Sequence, residues 1–333
     1  MDGGQHQGAQ PPPLCSAQEP VLRGGDHRLC SPPGFDLRKA TRRAPGSARL
    51  DGNRRMPDHR RDAREGRLGD AVSHRPVRQR HPRHDAHEHR PADPLSSMDI
   101  LITGAASALG SALVKRLSAC PAHRLRLTDR IALDSRLDFR QSGLDHGENT
   151  RDLVKGVDTV VHNPLPGKGA AASPADWIDA CTRCTYNLFT AAAEAGVRRV
   201  IYLSSLDLFL PYDEDMVVNE RWRPRPTTEP AVMAPYLGEF IAEEFCLEGG
   251  FDLVCLRLGH LVEHREVEGQ PYDPLWLDVG DAAGAIAAAL DADLPHFAVL
   301  HLQSVSARSR FSVEQARQAL GFEPAVDFSE VAK

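Results

Sequence analysis

From residue 98 onward, short apolar runs alternate with longer stretches that carry apolar residues at helical spacing. The runs at 100–103, 124–128, 158–162, 198–204, 251–258 and 297–302 predict strands. The stretches at 108–119, 150–155, 174–195, 236–248, 279–290 and 312–320 predict helices. Strands that alternate with helices are joined by crossovers, so the pattern predicts an α/β fold with a doubly wound parallel sheet. We divide this part into a nucleotide-binding domain at 98–258 and a small substrate-side lobe at 259–333, which shares the loop 205–235.

Residues 1–97 behave differently. Phe35 is their only Phe, Tyr or Trp, Pro and Gly recur throughout, and neither apolar period persists. Such a segment buries too little surface to offset chain entropy, which predicts disorder. Charge separates the two parts as well. The whole chain has a formal net charge of -6, but residues 1–97 hold 18 Lys+Arg against 12 Asp+Glu, leaving about -12 for the rest. The Arg/His excess, as in His81-Pro82-Arg83-His84-Asp85-Ala86-His87-Glu88-His89-Arg90, fits a nucleic-acid arm, a metal-binding tract or no functional design. Interspersed charges, the lack of stacking aromatics and unpaired histidine spacing favour the last. Arginine with almost no lysine also suits GC-rich DNA translated upstream of a true start at Met98. No signal-peptide core and no run of about 18 apolar residues occurs, so a cytoplasmic protein without a membrane segment is expected.

The seven cysteines are scattered and predict no disulfide framework. Cys181-Thr182-Arg183-Cys184 is a CxxC without a second pair, inside a helical pattern. Two small buried residues on a helix is the favoured reading over a redox or zinc site; no metal site is expected.

The chemistry concentrates at Thr103-Gly104-Ala105-Ala106-Ser107-Ala108-Leu109-Gly110, a small-residue turn between the first strand and the first helix. Glycines permit a tight bend and a close backbone approach, and the helix dipole favours a pyrophosphate. Gly104 and Gly110 keep the outer positions, and Ser107 weakens the middle one. Asp129, 19 residues after Gly110 at the end of the second strand, is placed to accept from both hydroxyls of an adenosine ribose. It would repel a 2′-phosphate, so the expected cofactor is NAD rather than NADP. These features together predict a Rossmann-type nucleotide site.

From Met98 to about Phe328 the chain resembles the extended short-chain dehydrogenase/reductase family, in its NAD-dependent epimerase/dehydratase branch, with uronate dehydrogenase-like members among the closer relatives. The resemblance rests on the glycine turn, Gly156-Val157-Asp158-Thr159-Val160-Val161-His162, and residues 191–205 ending in Tyr202-Leu203-Ser204-Ser205. Leu256-Arg257-Leu258-Gly259, Trp276-Leu277-Asp278-Val279-Gly280-Asp281-Ala282 and Ala319-Leu320-Gly321-Phe322-Glu323-Pro324 extend it. It implies an oxidoreductase or epimerase/dehydratase acting on a small sugar or sugar-acid derivative. Ser205 and Tyr236 then stand at the catalytic positions, and Ala108, Leu109 and Leu144 join Gly104, Ser107, Gly110 and Asp129 as cofactor contacts. A homodimer is a further implication.

One departure weighs on the function. The family pairs its tyrosine with a lysine four residues on, which lowers the tyrosine pKa and holds the nicotinamide ribose; here that position is Phe240. An unassisted tyrosine, with a pKa of about 10, is a poor base at neutral pH, and Glu239 would worsen it if it faced the site. Asn163-Pro164-Leu165-Pro166 replaces the usual small residues after the third predicted strand, Cys181 replaces an Asn and Gly143 an Asp. A lysine from a loop, such as Lys168, would have to substitute. Asp207 reads either as a substrate contact or as a solvated acid. Arg308 and Arg310 lie where relatives bind anionic groups, although a surface ion pair is favoured for either alone. His162 reads as packed, and His260 and His264 belong to no motif. A non-catalytic NAD-binding protein of the same fold remains the alternative function, and a nucleic-acid binder acting through residues 1–97 the third.

Overall fold

The computed structural model describes residues 97–166, 173–267, 269–306 and 308–329, all within one compact unit. The expectations for residues 1–96 and for Lys168 lie outside the described residues. The chain runs β1 (Asp99–Thr103), α1 (Ala108–Leu117), β2 (Arg124–Asp129), β3 (Asp138–Gln141), α2 (Glu148–Val154), β4 (Thr159–His162), α3 (Pro174–Asp179), a π turn (Ala180–Cys184), α4 (Thr185–Ala195) and β5 (Arg199–Ser205). A 3₁₀ turn (Leu206–Phe209) then leads through a long loop to α5 (Pro230–Leu247), β6 (Asp252–Leu258), β7 (His260–Val262), β8 (Trp276–Asp278), α6 (Val279–Asp291), β9 (Phe297–Leu302) and α7 (Glu314–Leu320).

Seven strands form one parallel sheet in the order β3-β2-β1-β4-β5-β6-β9. This is the predicted Rossmann-type arrangement. Its inner strands are buried on both faces, and side-chain alternation sends successive residues to opposite cores. Ile100, Ile102, Ile201, Leu203, Val254 and Leu256 join α1 and α6 in one core. Leu101, Val200, Tyr202, Leu253 and Cys255 join α2, α4 and α5 in the other. The strand order reverses direction between β1 and β4, which opens a crevice at their carboxyl ends.

The tail from residue 259 divides between two roles. β9 completes the main sheet and α6 lies in the β1 core, whereas β7 and β8 form a separate two-stranded pair beside the crevice. Asp281 ties the end of the chain to α6, accepting from Ser304 Oγ (3.0 Å) and from the backbone of Ala325 (2.9 Å) and Val326 (3.2 Å).

Five elements depart from the sequence pattern, of which β7 and β8, at three residues each, are too short to give a periodic run. β3 was not predicted because it reads Asp-Phe-Arg-Gln and is largely exposed at the sheet edge, leaving no apolar run to detect. α5 starts at Pro230, six residues before its predicted start, with Pro235 inside it. A first-turn proline suits a helix, but an interior one reads as a breaker. The helix predicted over 174–195 is helical throughout, yet its middle turn is a π turn. There Thr185 Oγ1 donates to the Ala180 carbonyl five residues back (3.1 Å).

α5 is fixed to the sheet by a buried ion pair. The Arg257 guanidinium on β6 donates to both Glu239 oxygens, at 2.9 and 2.8 Å, with side-chain exposures of 7% and 10%. Removing one partner strands a buried charge, at a cost of about 3–5 kcal/mol. Glu239→Ala is therefore expected to lower unfolding free energy by that order in denaturant titration. Glu239→Leu with Arg257→Met is expected to recover most of the loss.

Candidate functional site

Gly104 begins the turn after β1 with φ +66°, and a Cβ there would lie 2.8 Å from the Asn163 carbonyl oxygen. At Gly110 a Cβ would meet the Gly104 carbonyl oxygen at 2.4 Å, so α1 lies against the turn only because this residue has no side chain. Ser107 is the N-cap of α1: its hydroxyl donates to the Gly104 carbonyl (2.7 Å) and accepts from Gly110 N–H (3.0 Å). The serine in the middle glycine position therefore takes on a capping function. The first-turn N–H groups of Ala108 and Leu109 are left without acceptors among the described residues, facing a cleft at the positive end of the helix dipole.

Asp129 closes the turn from the other side. Its Oδ2 accepts from Ala106 N–H (3.0 Å) and its Oδ1 from Ile131 N–H (3.0 Å). Each oxygen keeps a lone pair for a further donor. Leu144 also borders this end, with φ +54°, a conformation rare for a branched side chain. Hydrogen bonds hold it there: its N–H donates to Ser142 Oγ and its carbonyl accepts from Asn187 Nδ2, both at 3.0 Å.

The floor beside β1 is set by a directed hydrogen-bond chain. Asn163 N–H donates to Thr103 Oγ1 (3.0 Å), leaving that hydroxyl to donate to His162 Nδ1 (2.8 Å). His162 Nε2–H then donates to Thr185 Oγ1 (3.0 Å), which donates to Ala180 O (3.1 Å). Each hydroxyl supplies one proton, so His162 is the neutral Nε2–H tautomer, and complete burial pushes its pKa down to about 3. This is the packed, hydrogen-bonded histidine expected. Cys181 and Cys184 are buried, their thiols pushed up by burial to about 12 and about 11, and no metal-holding cluster occurs among the described residues.

The cleft has a volume of about 870 Å³ and extends from Asp129 and Leu144 past Gly104, His162 and Asn163 to Ser205, Asp207, His260 and Asp273. It crosses the carboxyl ends of β2, β1, β4, β5 and β6, about 19 Å at the usual strand spacing. Ser205 Oγ accepts from Asp207 N–H (3.1 Å), which leaves its own proton free to be donated into the cleft.

At the far end His260 lies between two carboxylates. Its Nε2 is 2.7 Å from Asp207 Oδ1 and its Nδ1 is 2.5 Å from Asp273 Oδ2. The bonds to Asp207 and Asp273 raise its pKa to about 10. Burial is the largest influence on Asp273 and opposes its ionisation, but the His260 bond, the Leu275 N–H bond and the His260 charge together outweigh it and hold that carboxyl below its usual range. Gly259 makes this convergence possible, since a Cβ there would lie 2.1 Å from the Leu275 carbonyl oxygen. Sequence reasoning missed the cluster because its members are 53 and 13 residues apart; the only local signal was Gly-His after an apolar strand.

The remaining expected residues are placed elsewhere. Tyr236 is half-buried against the cluster of Leu206, Phe209, Val218 and Phe311, and is not among the residues lining the cleft. Phe240 is 58% exposed, and Glu239 is turned to Arg257. Arg310 is neither a cleft residue nor a surface ion pair: it is buried, donates to the carbonyls of Tyr212 (2.9 Å) and Asp213 (3.1 Å), and packs over Phe311. Arg308 is exposed and away from the cleft.

The parallel sheet, the glycine turn at a helix N-terminus and the acid ending β2 define a dinucleotide-binding α/β protein. The model of the NAD dependent epimerase/dehydratase family matches residues 100–273, more than half of the chain, and the chain belongs to that family. No curated protein sequence matches it significantly. Among solved structures it is similar to MoeE5 in complex with UDP-glucuronic acid and NAD (23% identity, 70% of this chain and 96% of that one, TM-score 0.59). It is also similar to uronate dehydrogenase from Agrobacterium tumefaciens (22%, 70% and 86%, TM-score 0.57). UDP-N-acetylglucosamine 4-epimerase from Bacillus cereus shares the fold too (18%, 71% and 97%, TM-score 0.58). No helix among the described residues is long and apolar enough to cross a membrane.

The raised pKa of His260 links the far end of the cleft to stability. Its folded value of about 10 lies above the ordinary 6.5, so the contribution is complete below about pH 6.5 and is lost as pH rises through about 10. His260→Gln is expected to lower Tm at pH 6, with the difference from wild type vanishing above pH 10. A pH-independent difference would contradict this.

Proposed function

We propose that the protein binds NAD along this cleft and acts as an oxidoreductase or epimerase-type enzyme on a sugar or sugar-acid derivative. The observation that carries the reading is the continuity of the cleft from the Ala108 and Leu109 N–H groups and Asp129 to Ser205 and Asp207. The residues present fit a dinucleotide: unpartnered first-turn donors suit a pyrophosphate, and Asp129 retains acceptor capacity for the ribose hydroxyls. Leu144, strained and held in place, supplies an apolar contact beyond Asp129. NAD, when bound, supplies the acceptor for a hydride leaving a substrate carbinol carbon.

The chain must then orient the substrate oxygen and take its proton. Ser205 donates its hydroxyl proton to that oxygen, polarising it. Tyr236 keeps the family's place in sequence, but its ring packs against the Leu206 cluster. The cleft-facing proton acceptor is Asp207, whose Oδ1 is held by His260 while Oδ2 remains free. His260 acts as a positioning residue, fixing that carboxylate from one side.

A second reading, an NAD-binding protein without turnover, is favoured by one observation: the family's lysine position is Phe240, exposed on α5. Calorimetric titration of the full chain with NAD and NADP, followed by a screen for NADH formation with aldoses and uronic acids, separates the two. NAD is expected to bind at least about tenfold more tightly than NADP. Asp129→Ala is expected to weaken NAD by a similar factor, about 1.4 kcal/mol, and to narrow the gap. Tight NAD binding without turnover on any sugar, persisting in Phe240→Lys, would establish the second reading; no NAD binding would contradict both.

A further inference from the structure

The substrate end of the cleft has a definite charge. Both ring nitrogens of His260 are bonded to carboxylate oxygens, and neutral imidazole has only one N–H. The cluster is therefore an imidazolium between two carboxylates, with one net negative charge. Glu263 and Glu266 also line the cleft, but Glu263 stands beside Ala108, Ser111 and Lys115 of α1. Glu263 is paired with Arg265 at 2.5 Å and the exposed Glu266 accepts from Glu263 N–H (3.5 Å), so neither is counted in the charge of the cluster. No lysine or arginine lines this half among the described residues; the Arg on the described cleft wall is Arg130, beside Asp129 at the opposite end. Arg310, placed by sequence near an anionic group, is committed to backbone carbonyls.

The hydrogen-bond inventory agrees with the charge. Asp273 Oδ1 accepts from Leu275 N–H (2.8 Å), and both N–H groups of His260 are taken. Asp207 Oδ2 is left facing the cleft, and it accepts only. A substrate group entering here must bring donors, and a carboxylate or phosphate brings none while meeting like charge.

We propose that this end of the cleft selects a hydroxyl-rich or amino-bearing substrate portion without negative charge, so that the substrate is a neutral or amino-substituted sugar or polyol rather than a uronate or a sugar phosphate. The inference rests on the oxidoreductase reading and narrows it. Asp207, His260 and Asp273 set the selection, and the neutral His162 at the floor adds no charge to it.

The test is kcat/KM for NADH formation by the full chain with NAD at pH 7, on matched skeletons: glucose, glucosamine and glucuronate, then galactose, galactosamine and galacturonate. Neutral and amino members are expected to be favoured over the uronate of the same skeleton by at least about tenfold. Asp273→Asn, verified by unchanged NAD affinity, is expected to narrow that ratio several-fold, an effect that a purely structural clamp would not produce. A wild-type preference for the uronates overturns the inference and leaves the oxidoreductase reading standing. A neutral-sugar preference that this variant does not move overturns the assignment to this cluster. NAD binding without turnover on any of the six sugars overturns the oxidoreductase reading, and this inference with it.

Discussion

A neutral imidazole buried between two threonine hydroxyls holds the floor of the cleft. His162 links Thr103 at the end of β1 to Thr185 beyond the π turn, and the proton inventory of the chain from Asn163 N–H to Ala180 O permits one tautomer. The bond fixes the loop after β4 against the glycine turn, where the Asn163 carbonyl fills the space that a Cβ on Gly104 would need. It also accounts for the π turn: with Thr185 bonded to Ala180 five residues back, the helix is widened where Cys181 and Cys184 enter the core. An ionised histidine there would lose an acceptor and carry an unpaired charge in the core.

The other end of the cleft applies the opposite logic to the same residue type. His260 is partly exposed and flanked by two carboxylates, so it is held charged where His162 is held neutral. One environment excludes charge by burial and the other imposes it by pairing. Ser205 lies between them and the turn donors lie on the β1 side of His162, so a ligand in the cleft meets positive potential at the α1 N-terminus and negative potential at the far end. An NAD pyrophosphate fits the first, and a donor-rich substrate the second.

Much of the fold was legible because the buried strands are continuous apolar runs and the glycine turn has one geometric use. β3 escaped notice because an edge strand with one half-hidden phenylalanine has no periodic signature, and the start of α5 was obscured by Pro235. On the nucleotide side, Gly104, Ser107, Ala108, Leu109, Asp129 and Leu144 all border the cleft, since a turn and the residues after it are local in sequence. The far end was not legible in this way. Asp207, His260 and Asp273 come from three segments joined only by tertiary packing, and the close approach at Gly259 has no pattern around it. Arg310 misled in the other direction: position along the chain suggested a cleft residue, while the guanidinium is committed to backbone carbonyls inside the protein; Tyr236 is half-buried beside the Leu206 cluster.

On the proposed function, one NAD lies along the cleft from Asp129 and the α1 N-terminus to Ser205, with His260 next beyond it. Nuclear magnetic resonance of the full chain during NAD titration reads both ends at once. The account predicts that the backbone amides of Ala108, Leu109 and Ile131 and the amide and imidazole signals of Ser205 and His260 shift together with a single Kd. Shifts confined to either end, or an unchanged α1 N-terminus at saturating NAD, would contradict it.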